Sequence, residues 1–279
     1  MSVRIITDST AEFRPALAER IISVPLMIRF GEDEYIDGVT MSREEFYKQL
    51  QTCTDLPTTS MPAPTLFEEA YREAVEAGDQ VVVITISSKL SGTFQSANIA
   101  AMDYEDDVFV VDSESATVAA GLLAERGLQM ADEGMSAKDI AAVLETEKKK
   151  LTLFATLDTL EFLVRGGRLS RVAGVAGGLL NIKPVITISG GQIEVIGKAR
   201  GLKQGNAMMA KEIEKCGGID FSKPVMSGYT GLSDELLRKY LTDSAEQLAP
   251  AGEIDSAIIS GVIGTHVGPG AFAIVFFRK

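Results

Sequence analysis

The run Val81-Val82-Val83-Ile84-Thr85-Ile86 is β-branched at every position. Such side chains lose rotamer freedom in a helix and pack well on a pleated sheet. The run is continuous rather than alternating, so it reads as a strand covered on both faces, as in parallel sheets flanked by helices. Its neighbours agree. Val3 to Thr7 reads as a strand, Ala11 to Arg20 as an amphipathic helix, and Ile22 to Arg29 as a second strand ending near Gly31. Ser42 and Glu45 stand at capping-box spacing before a helix reaching Gln51, with Phe46 and Leu50 four apart. A helix over Thr65 to Ala77, closed by Gly78, precedes the buried strand. Helix Thr93 to Met102, strand Val108 to Val111 and helix Ser115 to Glu133 follow it. Strand and helix in alternation predict a parallel α/β sheet with right-handed crossovers.

The pattern changes after a helix over Ala137 to Lys150. Leu151 to Ala155 reads as a strand and Leu157 to Val164 as a short helix, broken by Arg165-Gly166-Gly167-Arg168. Val185 to Ser189 and Gln192 to Gly197 predict a hairpin turning on Gly190-Gly191. Helices over Gly205 to Lys215 and Ser233 to Gln247, with strands near Val225, near Ile258 and over Ala273 to Phe277, complete a mixed set. At 279 residues the chain exceeds the common size of one domain. The expected division is therefore an N-terminal α/β domain over 1–150 and a C-terminal mixed α/β domain over 151–279.

Charge excludes one class of partner. The net charge is −12, and no basic stripe offsets it. Nucleic acid, which is held by concentrated Lys and Arg, is not expected. Cys53 and Cys216 have no CxxC spacing, so neither a disulfide framework nor a zinc site is predicted. No stretch approaches the roughly 18 apolar residues of a membrane span, and the N-terminus runs straight into a strand without a signal-peptide pattern. A cytoplasmic protein is expected.

Several polar segments are candidates for a site. Thr7-Asp8-Ser9-Thr10, Ser87-Ser88-Lys89-Leu90-Ser91-Gly92-Thr93 and Asp112-Ser113 each follow a predicted strand. Ligands of open parallel sheets gather at those carboxyl ends. Ser91-Gly92-Thr93 also opens a helix, where unpaired N–H groups favour an anion and Gly92 would let it approach the backbone. The competing role for Ser91 or Thr93 is a helix cap. Thr58-Thr59-Ser60, between Pro57 and Pro62, is an extended hydroxyl-rich stretch. Arg165 and Arg168 place two guanidinium groups around a glycine break, or serve as the positive end of a helix. The only histidine, His266, lies in Gly264-Thr265-His266-Val267-Gly268-Pro269-Gly270. Three glycines and a proline in seven positions predict a special loop rather than a regular helix. The GxSxG elbow, phosphate-binding GxxxxGK[ST] loop, dinucleotide fingerprint and HExxH helix are all absent from the sequence. A Ser-His-Asp arrangement of Ser91, His266 and Asp8 or Asp112 is one alternative, which would make the protein an acyl hydrolase or acyl transferase. A small-anion or phosphate-binding regulator is another.

Taken in order, these segments resemble the DegV family of bacterial fatty acid-binding proteins. The resemblance is carried by Thr7-Asp8-Ser9-Thr10, Tyr35-Ile36-Asp37-Gly38 with Phe46-Tyr47, Thr59-Ser60-Met61-Pro62 and the Ser87–Thr93 segment with Ser96-Ala97. It continues through Leu163-Val164-Arg165-Gly166-Gly167-Arg168-Leu169, Asn181-Ile182-Lys183-Pro184 and the His266 segment, and so covers the whole chain. It implies a two-domain α/β fold that buries one long-chain fatty acid between the domains, with no cofactor and no catalysis by the chain itself. By motif, Thr59 and Ser91 match the family's carboxylate contacts and His266 the histidine beside them. Ser60, Gly92, Arg168 and Arg200 are the further ligand-binding candidates. For some members the family implies presentation of the acyl group to a fatty acid kinase, which would be the partner. Two positions depart from the pattern: Met61 stands where a polar residue is common, and the run from Lys198 to Lys203 is less basic than usual.

Overall fold

The computed structural model describes residues 2–169 and 182–279. The chain begins with β1 (Val3–Asp8), β2 (Ile21–Val24), β3 (Met27–Phe30), β4 (Asp33–Ile36), α1 (Arg43–Thr52), β5 (Thr58–Ser60) and α2 (Pro64–Glu76). Next come β6 (Gln80–Thr85), α3 (Thr93–Ala101), β7 (Val108–Asp112), α4 (Val118–Asp132) and α5 (Ala137–Glu147). Then follow β8 (Leu151–Thr156), α6 (Glu161–Arg165), β9 (Ile182–Ser189), β10 (Gln192–Arg200), α7 (Leu202–Lys215) and β11 (Met226–Tyr229). The chain closes with α8 (Glu235–Asp243), α9 (Ala245–Leu248), β12 (Ser256–Ile258), α10 (Gly261–Val267) and β13 (Phe272–Phe277).

The β-branched run forms β6, the inner strand of a parallel sheet ordered β2-β1-β6-β7. Its side chains alternate between two cores. Val81 and Val83 join Ile6 under α2 and α3, against Phe67, Tyr71 and Ala97. Val82 and Ile84 join Ile5 under α4 and α5, against Leu122, Leu123 and Ile140. Both faces are covered, which is why no polar residue interrupts the run from 81 to 84.

A second, six-stranded sheet is ordered β10-β9-β8-β13-β11-β12, antiparallel except for the β11–β12 pair. Alternation again divides its faces. Phe154, Ile274 and Phe276 pack outward beneath α7 and α8, with Met209, Leu237 and Tyr240. Leu153, Ala155, Ile186, Ala273 and Val275 face inward and share one core with α4 and the first sheet. A third, small antiparallel sheet, β4-β3-β5, sits beside α1. The fold is thus α/β, with a parallel-sheet domain and a separate mixed-sheet domain. Among the described residues no helix is long and apolar enough to cross a membrane.

Four expected elements differ. The helix over Ala11 to Arg20 is replaced by extended backbone and one 3-10 turn at Pro15–Leu17. Glu12 there is buried and donates its backbone N–H to the Thr117 carbonyl at 3.3 Å, so a tertiary contact overrides local helix pattern. The strand over Ile22 to Arg29 divides at Pro25 into β2 and β3, which belong to different sheets. The helix over Ser233 to Gln247 breaks at Ser244 into α8 and α9. The segment around His266 is helix α10, not a loop. Its glycines serve close packing: a Cβ on Gly261 would stand 2.8 Å from Phe46, and one on Gly264 would stand 2.8 Å from the Tyr47 hydroxyl. Gly268, which ends the helix at φ 73°, and Gly270, at φ 78°, are the two of the segment whose backbone favours glycine.

Candidate functional site

The loops after β1, β6 and β7 do meet at one end of the parallel sheet, but their carboxylates are used to build loops. Asp8 is fully buried and accepts the Ile86 backbone N–H at 2.7 Å, the Thr10 N–H at 2.9 Å and the Thr10 hydroxyl at 2.5 Å. Burial pushes its pKa above the usual carboxylate value, and the hydrogen bonds from Thr10 and Ile86 oppose that shift. Asp112 accepts the Ser88 and Glu114 N–H groups at 3.2 and 2.9 Å. Ser87 reaches across to the second sheet, donating to the Gly191 carbonyl at the β9–β10 turn at 2.8 Å.

These contacts hold the start of α3, where Gly92 is the cap position. Ser91 lies within 2.9 Å of the Thr93 hydroxyl and accepts the Thr93 N–H at 3.4 Å. A Cβ on Gly92 would stand 2.4 Å from the Met61 sulfur, so glycine there lets β5 and its following residues close over the helix start. Thr59 sits in β5 opposite Ile28 of β3, and its hydroxyl is 2.9 Å from His266 Nε2 in the last turn of α10. The other ring nitrogen, Nδ1, is buried without a hydrogen-bond partner among the described residues and faces Gly166, where a Cβ would come within 2.2 Å. Burial, and secondarily the nearby Arg168 guanidinium, depress the imidazole pKa to about 4, so the ring is neutral at pH 7. Arg168 donates to the Leu90 carbonyl at 3.0 Å and the Gly166 carbonyl at 2.7 Å, and burial lowers its pKa as well.

Thr59, Ser91, Arg168 and His266 therefore converge, and all four line one cavity. The cavity holds about 880 Å³ of free space, its opening included. Its remaining wall is overwhelmingly aliphatic. Leu153 and Ala155 of β8, Ile186 and Ile188 of β9 and Ala273 of β13 come from the second sheet. Leu26, Ile86 and Leu90 come from the first domain, and Val262, Ile263 and Val267 from α10. Met61, 52% exposed, belongs to the wall and brings the polar end to the surface. A mostly apolar cavity whose polar lining includes hydroxyls, a neutral imidazole and a guanidinium suits an amphiphile bearing one acidic head.

Ser60 and Arg200 are not brought there. Ser60 pairs with Met27 on the exposed, opposite face of β5 from Thr59. Arg200 is exposed at the end of β10, its backbone N–H held by the Gln204 side chain at 2.6 Å. Arg165 is exposed and paired with Glu161. Asn181 lies outside the described residues. Nor is a Ser-His-Asp relay assembled: His266 bonds Thr59 rather than Ser91, and Asp8 and Asp112 are committed to backbone amides. Among the described residues no group of three His, Cys, Asp or Glu side chains could hold a metal ion. Sequence reasoning missed the aliphatic wall altogether, along with Thr117 and Thr230, which also line the cavity. A wall residue from β8 carries the same local pattern as any core residue of that strand.

Comparison with known proteins follows the same lines. The family described as "Uncharacterised protein, DegV family COG1307" matches residues 2–279. A DegV domain-containing protein of Caldanaerobacter subterraneus subsp. tengcongensis is 35% identical over 283 aligned positions, covering 99% of each chain. A solved structure described as fatty acid binding of a DegV family protein from Thermus thermophilus superposes with a TM-score of 0.90 at 30% identity, covering 100% of both chains. A stearic acid-binding protein from Eubacterium ventriosum superposes at 0.85 with 28% identity, over 99% of this chain and 98% of that one. With its fold, its ordered motifs and its full-length match in agreement, this chain belongs to the DegV family.

Proposed function

We propose that this chain binds one long-chain fatty acid, tail in the aliphatic cavity and carboxylate at Thr59, Ser91, Arg168 and His266. The observation that carries the reading is the lining of the cavity: mostly aliphatic side chains, with Thr59 and His266 in hydrogen-bond contact and Ser91 and Arg168 lining the same space. The fatty acid described for the Thermus thermophilus relative and the stearic acid of the Eubacterium ventriosum protein support the same ligand class. Energetics divide the work between the two ends. A tail of about 14 methylenes carries roughly 11 kcal/mol of transfer free energy, at ~0.8 kcal/mol each, before the costs of association. The head contacts need only orient the carboxylate; Gly92 is not among the residues that line the cavity and serves as the cap of α3 under Met61. The ligand would lie between an N-terminal unit of residues 1–150 and a C-terminal unit of 151–279. Ser60 and Arg200 fall outside the head-group set in this reading.

The chain itself would be a cytoplasmic carrier rather than an enzyme. Met61, which lines the cavity beside the start of α3, is half exposed, so a partner would reach the head-group end there, and the resemblance implies a fatty acid kinase as that partner. The direct test is mass spectrometry of an organic extract from protein purified out of a bacterial host. A stoichiometric long-chain fatty acid is the expected result. Repeated preparations without lipid, together with no uptake of added stearic acid, would overturn the reading. The kinase role is tested separately, by asking whether a fatty acid kinase forms acyl-phosphate from the loaded protein faster than from free fatty acid.

A further inference from the structure

Two buried carboxylates are not used by the head-group site, yet both grip the helix that carries its histidine. Glu12, 2% exposed, accepts the Ser260 backbone N–H through Oε1 at 2.6 Å, while its Oε2 accepts from Arg43 of α1 at 2.6 Å. Asp37, 4% exposed, accepts the Gly261 N–H through Oδ1 at 3.2 Å and the Ser9 hydroxyl through Oδ2 at 2.8 Å. Ser260 caps α10 with its own side chain by accepting the Ile263 N–H. The first N–H groups of α10 are thus held from the N-terminal domain, although the helix follows β12 of the second sheet. The side of the helix is fixed in the same way. Gly261 and Gly264 let it lie directly against Phe46 and Tyr47 of α1, and the Tyr47 hydroxyl donates to the Ile259 carbonyl at 2.9 Å.

We propose that Glu12 and Asp37 are positioning residues for the head-group site: by seating the N-terminus of α10 on the N-terminal domain they set where the His266 imidazole stands relative to Thr59 and Ser91. The helix is seven residues, about 10 Å long, so a tilt of about 10° at Gly261 moves its far end by about 2 Å. Thr59 and Ser91 belong to the N-terminal domain, and the two carboxylates make His266 move with them. The inference, in its consequence for ligand affinity, rests on the fatty acid reading; the seating of the imidazole does not.

The single histidine makes the test direct, because its ring nitrogens give unique resonances in ¹⁵N NMR of the whole ligand-free protein. Glu12→Ala and Asp37→Ala are expected to shift the Nε2 resonance and to weaken stearic acid binding roughly tenfold, the effect of losing one well-placed hydrogen bond. Glu12→Gln keeps a neutral acceptor for Ser260 and is expected to restore the wild-type spectrum and affinity. Folded alanine variants with an unchanged imidazole spectrum would overturn the proposal. Should they fail to fold, the wild-type titration decides. Burial pushes Glu12 up to about 8, with Arg43 opposing and Asp37 adding to the shift. Asp37 itself is raised to about 6 by burial, with Asp8 contributing, and Tyr47 also faces the group. The His266 resonances should therefore show an inflection near pH 8 that is absent in Glu12→Gln; a flat wild-type response would refute the coupling. Wild-type protein that fails to bind stearic acid at all would remove the ligand reading alone, since the imidazole spectrum is measured without ligand.

Discussion

Replacing Gly166 with alanine isolates the His266–Thr59 contact with a single methyl group. Gly166 caps α6 at φ −72°, an ordinary backbone conformation, so the substitution costs nothing in backbone strain. Alanine at a compatible glycine position usually stabilises a chain by about 0.4–1 kcal/mol. The new Cβ, however, would stand 2.2 Å from His266 Nδ1, 3.0 Å from the adjacent ring carbon and 3.1 Å from the Phe162 carbonyl. The imidazole must therefore move, and the 2.9 Å contact between Nε2 and the Thr59 hydroxyl lengthens or breaks. The displaced imidazole would also lose its proposed contact with the carboxylate, which is worth about 1–3 kcal/mol of binding, or between fivefold and more than a hundredfold in an equilibrium constant. Stearic acid affinity, measured by isothermal titration calorimetry on delipidated protein, is expected to fall at least fivefold while the melting temperature stays within a few degrees. Affinity within twofold of wild type would refute the placement of the imidazole at the head group.

Other substitutions test the remaining parts of the site. Thr59→Val keeps the shape of the side chain and removes its hydroxyl; an affinity loss of about 1 kcal/mol is expected by calorimetry, and none at all would remove Thr59 from the contact set. Ala155→Phe adds a ring to the aliphatic wall, so stearic acid should be excluded while a shorter acid still binds; equal affinity for both chain lengths before and after would contradict the tail assignment. The pH dependence of stability has a definite sign. His266 is held near 4 in the folded protein against about 6.5 unfolded, so the unfolded chain takes up the proton first. Stability attributable to this group is complete above pH 6.5, declines as pH falls toward 4, and is flat below, for a total of about 3 kcal/mol at most. The change in urea stability between pH 7 and pH 4.5 should differ between wild type and His266→Gln by this contribution, the buried carboxylates Glu12 and Asp37 adding the same opposing term to both; identical pH dependence in both would contradict the buried neutral ring.

Most of the elements could be read from local pattern. The β-branched run, the Ser42–Glu45 capping box and the glycine pair of the β9–β10 hairpin are decided by interactions within a few residues, and the structure contains all three. Where long-range contacts outweighed local preference, the pattern misled. Ala11 to Arg20 has helical spacing, but burial of Glu12 against α4 and α10 draws the chain out straight. The glycines around His266 suggest a loop until the neighbours that need their missing side chains, Phe46 and Tyr47, are in place.

The site divides along the same line. The sequence by itself singled out the groups proposed to hold an anion, because Thr59, Ser91, Arg168 and His266 sit in motifs whose order identifies the family. It also determined the alternation that makes two cores possible. Only the tertiary structure decided which of the candidates meet. Strand alternation turns Thr59 inward and Ser60 outward, and the length of β10 leaves Arg200 at an exposed end. Only the packing of two sheets creates the aliphatic slot, since each wall residue looks like core until the facing side chains leave a space between them. The position of the one histidine is the clearest case: its chemistry is local, but its place is set by carboxylates 254 and 229 residues earlier in the chain, reaching the other end of its helix.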